Sequence, residues 1–71
     1  LGEGGMCAVY RVRSVDPTGA ERALKVLLDR GPDAKARFIS EARLLLTIRH
    51  PNVVRCFHVE EAADPPWMVM E

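Results

Sequence analysis

Four residues, Asp16-Pro17-Thr18-Gly19, constrain the fold of this chain most, because they read as a tight turn between two alternating runs. Proline presets φ at the first central position of such a turn, and glycine supplies a permissive φ at its end. Before the turn, Ala8, Tyr10 and Val12 fall on one side, and Val9, Arg11, Arg13 and Val15 on the other. That period of two predicts a strand with one face partly wet. After the turn, residues Ala20 to Leu28 are rich in Ala, Leu and Val and form the return strand. The two strands form a β-hairpin.

The pattern then changes. Gly31-Pro32-Asp33 carries helix-start signals, with proline near a first turn and an acidic residue near the cap. Residues Ala34 to Arg49 follow with helical period, and Phe38, Leu45 and Ile48 share a stripe with Ala34 and Ala42. His50-Pro51-Asn52 stops the helix, since the residue before a proline avoids the helical region. Val53 to Val59 reads as a third strand, Glu60 to Pro66 as a polar turn, and Trp67 to Glu71 as the start of another strand. Hairpins with one main helix predict an α+β fold, with an antiparallel sheet of about five strands.

With 71 residues the chain is one domain or part of one. Chains this short bury only about 60% of their unfolded surface, so a free-standing fold would be marginal. Hydrophobic residues at 48% and charged ones at 28% are ordinary globular values and argue against disorder. A net charge of zero gives no electrostatic reason to expect nucleic acid or an anionic membrane as partner. No signal peptide and no apolar run of membrane-spanning length is present. Leu1 in place of an initiator methionine, and Met68-Val69-Met70-Glu71 without a turn signal, give both ends the look of a cut fragment. Cys7 and Cys56 are too few for a disulfide framework and read as reduced intracellular thiols.

The glycine-rich start, Leu1-Gly2-Glu3-Gly4-Gly5-Met6-Cys7-Ala8-Val9, places glycines where backbone N–H groups can turn toward an anion. A Walker A loop is ruled out, because Met6-Cys7-Ala8 stands where Gly-Lys-Ser/Thr is needed. A Rossmann fingerprint needs a helix directly after the glycines, whereas period two follows here. An ordinary hairpin turn and a glycine-rich nucleotide loop both fit this segment by itself.

Two charges stand in apolar surroundings. Lys25 lies inside Ala23-Leu24-Lys25-Val26-Leu27 and shares a face with Ala23 and Leu27. Either its stem packs on the sheet while the ammonium reaches water, or it has a task. Glu41 follows Phe38 by three residues and precedes Leu45 by four, which puts it on the helix's apolar stripe, either as an inward carboxylate that needs a partner or as a rim glutamate in water. Together they suggest one ion pair between neighbouring elements. Buried pairs are weak contributors to stability, so such a pair argues for function, here a lysine held against phosphate oxygens.

At this point the sequence resembles the small lobe of eukaryotic-type protein kinases. The resemblance rests on Gly2-x-Gly4-x-x-Cys7-x-Val9-Tyr10, Ala23-Leu24-Lys25, Glu41, His50-Pro51-Asn52-Val53-Val54 and Val69-Met70-Glu71, in that order. It covers essentially the whole chain, and Leu-Gly-Glu-Gly-Gly-Met is most similar to bacterial Ser/Thr kinases. It implies that residues 1–71 are a partial kinase domain, from the glycine-rich loop to the start of the hinge. The implied protein is a serine/threonine protein kinase that transfers the ATP γ-phosphate to protein hydroxyls. The alternative is a pseudokinase-type nucleotide-binding or interaction module.

The resemblance also implies roles. Leu1, Gly2, Glu3, Gly4, Gly5, Met6 and Cys7 would form the loop over the ATP phosphates. Leu1, Val9, Ala23 and Val54 would sandwich adenine. Lys25 would bind the α- and β-phosphates, held by Glu41. Met70 matches the gatekeeper position, the Glu71 backbone would begin the hinge, and Leu45 with Cys56 match packing positions that align the helix with the large lobe. ATP and Mg²⁺ are the implied cofactors, with the Mg²⁺ ligands, the catalytic aspartate and the protein-substrate site in a C-terminal lobe outside this sequence. The fragment alone is expected to be inactive, to expose an apolar patch where that lobe would sit, and to belong to a cytoplasmic domain. Cys7 stands where the family has its third glycine; its side chain would limit how closely the loop folds over phosphate. His50 is expected in the turn and His58 facing solvent, with Glu3, Glu60 and Glu61 as solvated charges. A zinc site from the cysteines and histidines lacks ligand spacing.

Overall fold

The computed structural model describes residues 7–71. Strand β1 (Cys7–Arg13) and strand β2 (Glu21–Leu27) form the hairpin expected around the turn. Asp16 organises that turn: its carboxylate accepts the Thr18 backbone N–H at 3.0 Å, and its carbonyl accepts the Gly19 N–H at 3.1 Å. Gly19 sits at φ 59°, a left-handed conformation that glycine adopts without steric cost. Ser14 N–H to the Ala20 carbonyl, at 2.8 Å, closes the ladder on the strand side. The register that results pairs Val9 with Lys25 and Arg11 with Ala23.

Helix α1 (Pro32–Thr47) begins at Gly31, with proline in the first turn and Asp33 near the positive end of the helix dipole. Asp29 Oδ1 accepts the Gly31 N–H at 2.8 Å and shapes the entry. The helix ends two residues before the expected Arg49, because Ile48 takes an extended conformation. The chain then closes a turn in which the His50 carbonyl accepts the Val53 N–H at 3.0 Å, and His50 Nδ1 accepts the Asn52 N–H at 3.1 Å.

That turn also delays the third strand. β3 (Cys56–Glu60) starts three residues after the expected Val53, and β4 (Trp67–Met70) returns beside it. All pairings are antiparallel and the sheet order is β1-β2-β4-β3. The described residues thus contain four strands where about five were expected, with the α+β class as anticipated. An irregularity between Cys56 and His58 shifts the β3–β4 register. No helix among the described residues is long and apolar enough to cross a membrane.

Alternation and pairing lay out one sheet face as two rows. Cys56, Met70, Ala23 and Arg11 form the first, and Val59, Met68, Lys25 and Val9 the second. Helix α1 lies over this face on the β3 side. Its buried stripe is Ala34, Phe38 and Ala42, and the core cluster joins Phe38 and Ala42 to Leu27, Cys56 and Met68. Burying side chains such as Phe38 or Met68 stabilises by about 1.5–3 kcal/mol each. Leu45 packs against this cluster while remaining half-buried. Ile48, placed on the same stripe by its spacing, lies just beyond the helix and is also half-buried.

Candidate functional site

Because α1 covers the β3 side of the face, the β1–β2 side is left open. Val9 consequently keeps 65% of its surface exposed although it is an apolar strand residue. Around it lies an open groove lined by Val9, Tyr10, Arg11, Arg22, Ala23 and the last residue, Glu71. Val9, Arg11 and Ala23 belong to the sheet face that carries Lys25. Val9 and Ala23 give the groove an apolar floor among the charged residues Arg11, Glu21, Arg22 and Glu71, and Lys25 is the register partner of Val9.

Lys25 Nζ lies 3.9 Å from Glu41 Oε1. The two charges from neighbouring elements do meet. Their setting differs from the expectation of an inward carboxylate: the Glu41 side chain is 58% exposed and that of Lys25 is 28% exposed. The reason is angular. The buried stripe runs through Phe38 and Ala42, and Glu41 sits about 100° around the helix from Ala42. It therefore occupies the flank of the stripe facing β2, where water reaches it. A pair this exposed and this long contributes little stability, and the ammonium keeps freedom to engage a second anion.

The remaining expected positions divide into three groups. Leu1, Gly2, Glu3, Gly4, Gly5 and Met6 lie outside the described residues. Val9, Ala23 and Glu71 line the groove, and Met70 pairs with Ala23 and is half-buried on the same face. Val54 is 52% exposed, in the irregular stretch before β3, and does not line the groove. It stays near the end of β4, since the adjacent Arg55 carbonyl accepts the Glu71 N–H at 2.9 Å. Cys7 opens β1 opposite Leu27 and packs half-buried against the core, so its side chain has a place in the sheet.

Cys56 is fully buried, and loss of solvation pushes its thiol pKa up, which keeps the thiol protonated. His58 is exposed, as anticipated; its ring packs against Trp67 at 5.5 Å and approaches Glu60 at 3.2 Å.

Glu61 corrects the reading of a solvated charge. Arg43 Nε donates to Glu61 Oε2 at 2.7 Å, and Arg43 Nη2 donates to Glu61 Oε1 at 2.6 Å. This two-pronged bond lowers the Glu61 pKa and raises that of Arg43. Nothing local in the sequence signals it, because the partners come from α1 and the β3–β4 turn, 18 residues apart. Two more guanidiniums, of Arg22 and Arg55, stack on Phe57 at 4.3 and 5.0 Å.

Comparison with known proteins gives matches along the whole chain. The family model described as protein tyrosine and serine/threonine kinase matches residues 1–71. The chain is 39% identical, over all of its length, to serine/threonine-protein kinase Pkn1 of Myxococcus xanthus, of which it spans 10%. It is 40% identical over 99% of its length to the DNA damage-responsive serine/threonine-protein kinase RqkA of Deinococcus radiodurans, spanning 11% of that protein. It is also 34% identical, over its whole length, to the tyrosine-protein kinase transforming protein Fps of Avian sarcoma virus, spanning 13%. The chain thus spans about a tenth of the length of the curated relatives it matches.

Proposed function

Because the chain belongs to the protein tyrosine and serine/threonine kinase family, we propose that its 71 residues are the ATP-binding small lobe of a serine/threonine protein kinase. On this reading they run from the glycine-rich loop to the start of the hinge. The observation that carries it is the Lys25–Glu41 contact of 3.9 Å beside an apolar groove floored by Val9 and Ala23.

The donor set fits a nucleotide. Val9 and Ala23 offer apolar surface to a base, Met70 flanks Ala23, and the Glu71 backbone lies at the groove's end. Lys25, with its stem along the sheet and its ammonium toward water, holds a positive charge where phosphate oxygens would lie. Glu41 approaches that ammonium from α1 at 3.9 Å. Gly2 and Gly4, having no Cβ, are the residue type that would let backbone N–H groups approach the phosphates. ATP supplies the transferable γ-phosphoryl group when bound. This chain's part is then grip and orientation, which dominate phosphoryl-transfer catalysis.

By resemblance to the family, the Mg²⁺ ligands, the catalytic aspartate and the protein-substrate groove would lie in a C-terminal lobe, and the 71 residues alone are not expected to transfer phosphate. Serine/threonine specificity is drawn from the names of the bacterial relatives. The reading includes a cytoplasmic setting, where ATP is available.

The test is Lys25→Met in the full-length protein, with binding of a fluorescent ATP analogue and protein phosphorylation as readouts. Phosphorylation should fall by about 10²-fold or more, the typical effect of deleting one group that meets developing charge. Unchanged phosphorylation and unchanged nucleotide affinity would refute the assignment. A pseudokinase, for which Cys7 in the third glycine position speaks, would show nucleotide binding sensitive to Lys25→Met and no phosphorylation in the parent protein.

A further inference from the structure

Helix α1 carries ion pairs on both flanks of its buried stripe. Ala42 has no exposed surface and marks the line of closest approach to the sheet. Glu41 and Arg43 stand one residue to either side of it, about 100° away in opposite directions. Glu41 reaches Lys25 on β2, and Arg43 reaches Glu61 beyond β3.

The two contacts differ in quality. Lys25–Glu41 is a single approach of 3.9 Å. Arg43–Glu61 engages two guanidinium nitrogens and both carboxylate oxygens, at 2.7 and 2.6 Å. Exposed ion pairs contribute little in general, and bidentate arginine–carboxylate geometry is the exception.

Two of the three residues in the buried stripe, Ala34 and Ala42, are alanines, so Phe38 is its one large fully buried side chain, with Ile39 and Leu45 packed half-buried beside it. A roll of roughly 10° about the helix axis moves a side chain at a radius of about 5–6 Å by about 1 Å. Starting from 3.9 Å, that displacement suffices to part Glu41 from Lys25. The same roll displaces Arg43, on the opposite flank, by a similar amount and works against its two bonds to Glu61.

We propose that Arg43 and Glu61 form a positioning clamp that fixes the roll of α1 and thereby sets the distance between Glu41 and Lys25. The proposal rests on the nucleotide-binding reading above. Neither clamp residue touches the groove; they act on it through the helix.

The experiment uses the full-length protein and compares Arg43→Met, Glu61→Gln, Arg43→Lys and the exchange Arg43→Glu/Glu61→Arg. Affinity for a fluorescent ATP analogue, ATP KM and kcat in autophosphorylation, and thermal midpoint are measured for each. Arg43→Met and Glu61→Gln should each lower kcat/KM for ATP by about 10-fold or more, given the steep dependence of rate on small misplacements. Arg43→Lys, which keeps the charge and loses the fork, should fall between them and wild type. The exchange should recover most of the loss. A purely structural bridge would lower the thermal midpoint and leave ATP affinity and kinetics unmoved at temperatures where the variants are folded; that result overturns the clamp. Failure of the folded exchange variant to recover ATP kinetics overturns it too. Lys25→Met in the same series separates the two readings. If it is silent, the nucleotide-site reading falls and the clamp with it. If it is deleterious while the clamp variants behave as wild type, the clamp alone falls.

Discussion

Lys25 and Met68 are register partners across β2 and β4 on the same sheet face, yet Met68 is wholly buried while the Lys25 side chain retains 28% exposure. The edge of the core thus runs between them. Met68 belongs to the cluster with Phe38 and Cys56, and Lys25 lies where helix coverage ends. Lysine can occupy an apolar strand here because its stem has neighbours and its ammonium has water and a carboxylate.

Met68→Ala in the intact kinase domain should lower stability by about 2–5 kcal/mol, through lost burial and the cavity left behind. Met68→Leu, which nearly conserves volume, should cost less than about 1.5 kcal/mol. Chemical unfolding of the two variants beside wild type gives both values; equal losses would show that packing at this position is not the determinant.

Glu61 should make stability depend on acid. Its hydrogen bond from Arg43 holds the carboxyl pKa below its ordinary range in the folded state. The folded protein therefore releases this proton more readily than the unfolded chain. The stabilisation is fully present above the unfolded pKa and is lost as pH falls through the lower folded value. Thermal midpoints taken between about pH 6 and about pH 3, spanning the carboxylate range, should converge for wild type and Glu61→Gln toward the acid end. Parallel curves would count against it.

Cys56 should be inert in the folded protein. It is 2% exposed, and burial raises its thiol pKa, so neither access nor thiolate is on offer. Thiol labelling at neutral pH should modify Cys56 only on unfolding, with mass mapping to distinguish it from Cys7. Rapid native labelling of Cys56 would contradict the packing described.

Cys7→Gly should act in two directions. Glycine within a strand destabilises by about 0.5–1 kcal/mol, and the contact of Cys7 with the core is lost as well. Freed of a side chain at its end, the glycine-rich loop should close more tightly over phosphate and raise ATP affinity. Calorimetric ATP titration and thermal unfolding of the one variant check both halves; unchanged affinity removes the second.

The order of elements was legible because its signals are local. The Asp16–Gly19 turn, the period of two on either side and the proline in the first turn of α1 each act within a few residues. The meeting of Lys25 and Glu41 could be read from two charges in apolar patterns. Its exposure could not, since that depends on how the helix is rolled on the sheet. Strand β3 was placed too early because the turn bond from Val53 to His50 competes with the ladder. The bond between Arg43 and Glu61 is invisible in sequence, as two exposed charges in separate elements give no pattern until the chain brings them together.

Residues that pair across the hairpin have numbers adding to a constant, as Val9 with Lys25 and Arg11 with Ala23 illustrate. The bend between them acts as a ruler for everything upstream. Losing a single residue there and re-pairing by one would send Val9 and its alternates to the opposite side of the sheet from Lys25. Added residues can bulge outward at small entropic cost while Arg13 and Glu21 stay matched. Length variation at this bend among related chains should therefore favour insertions over single deletions.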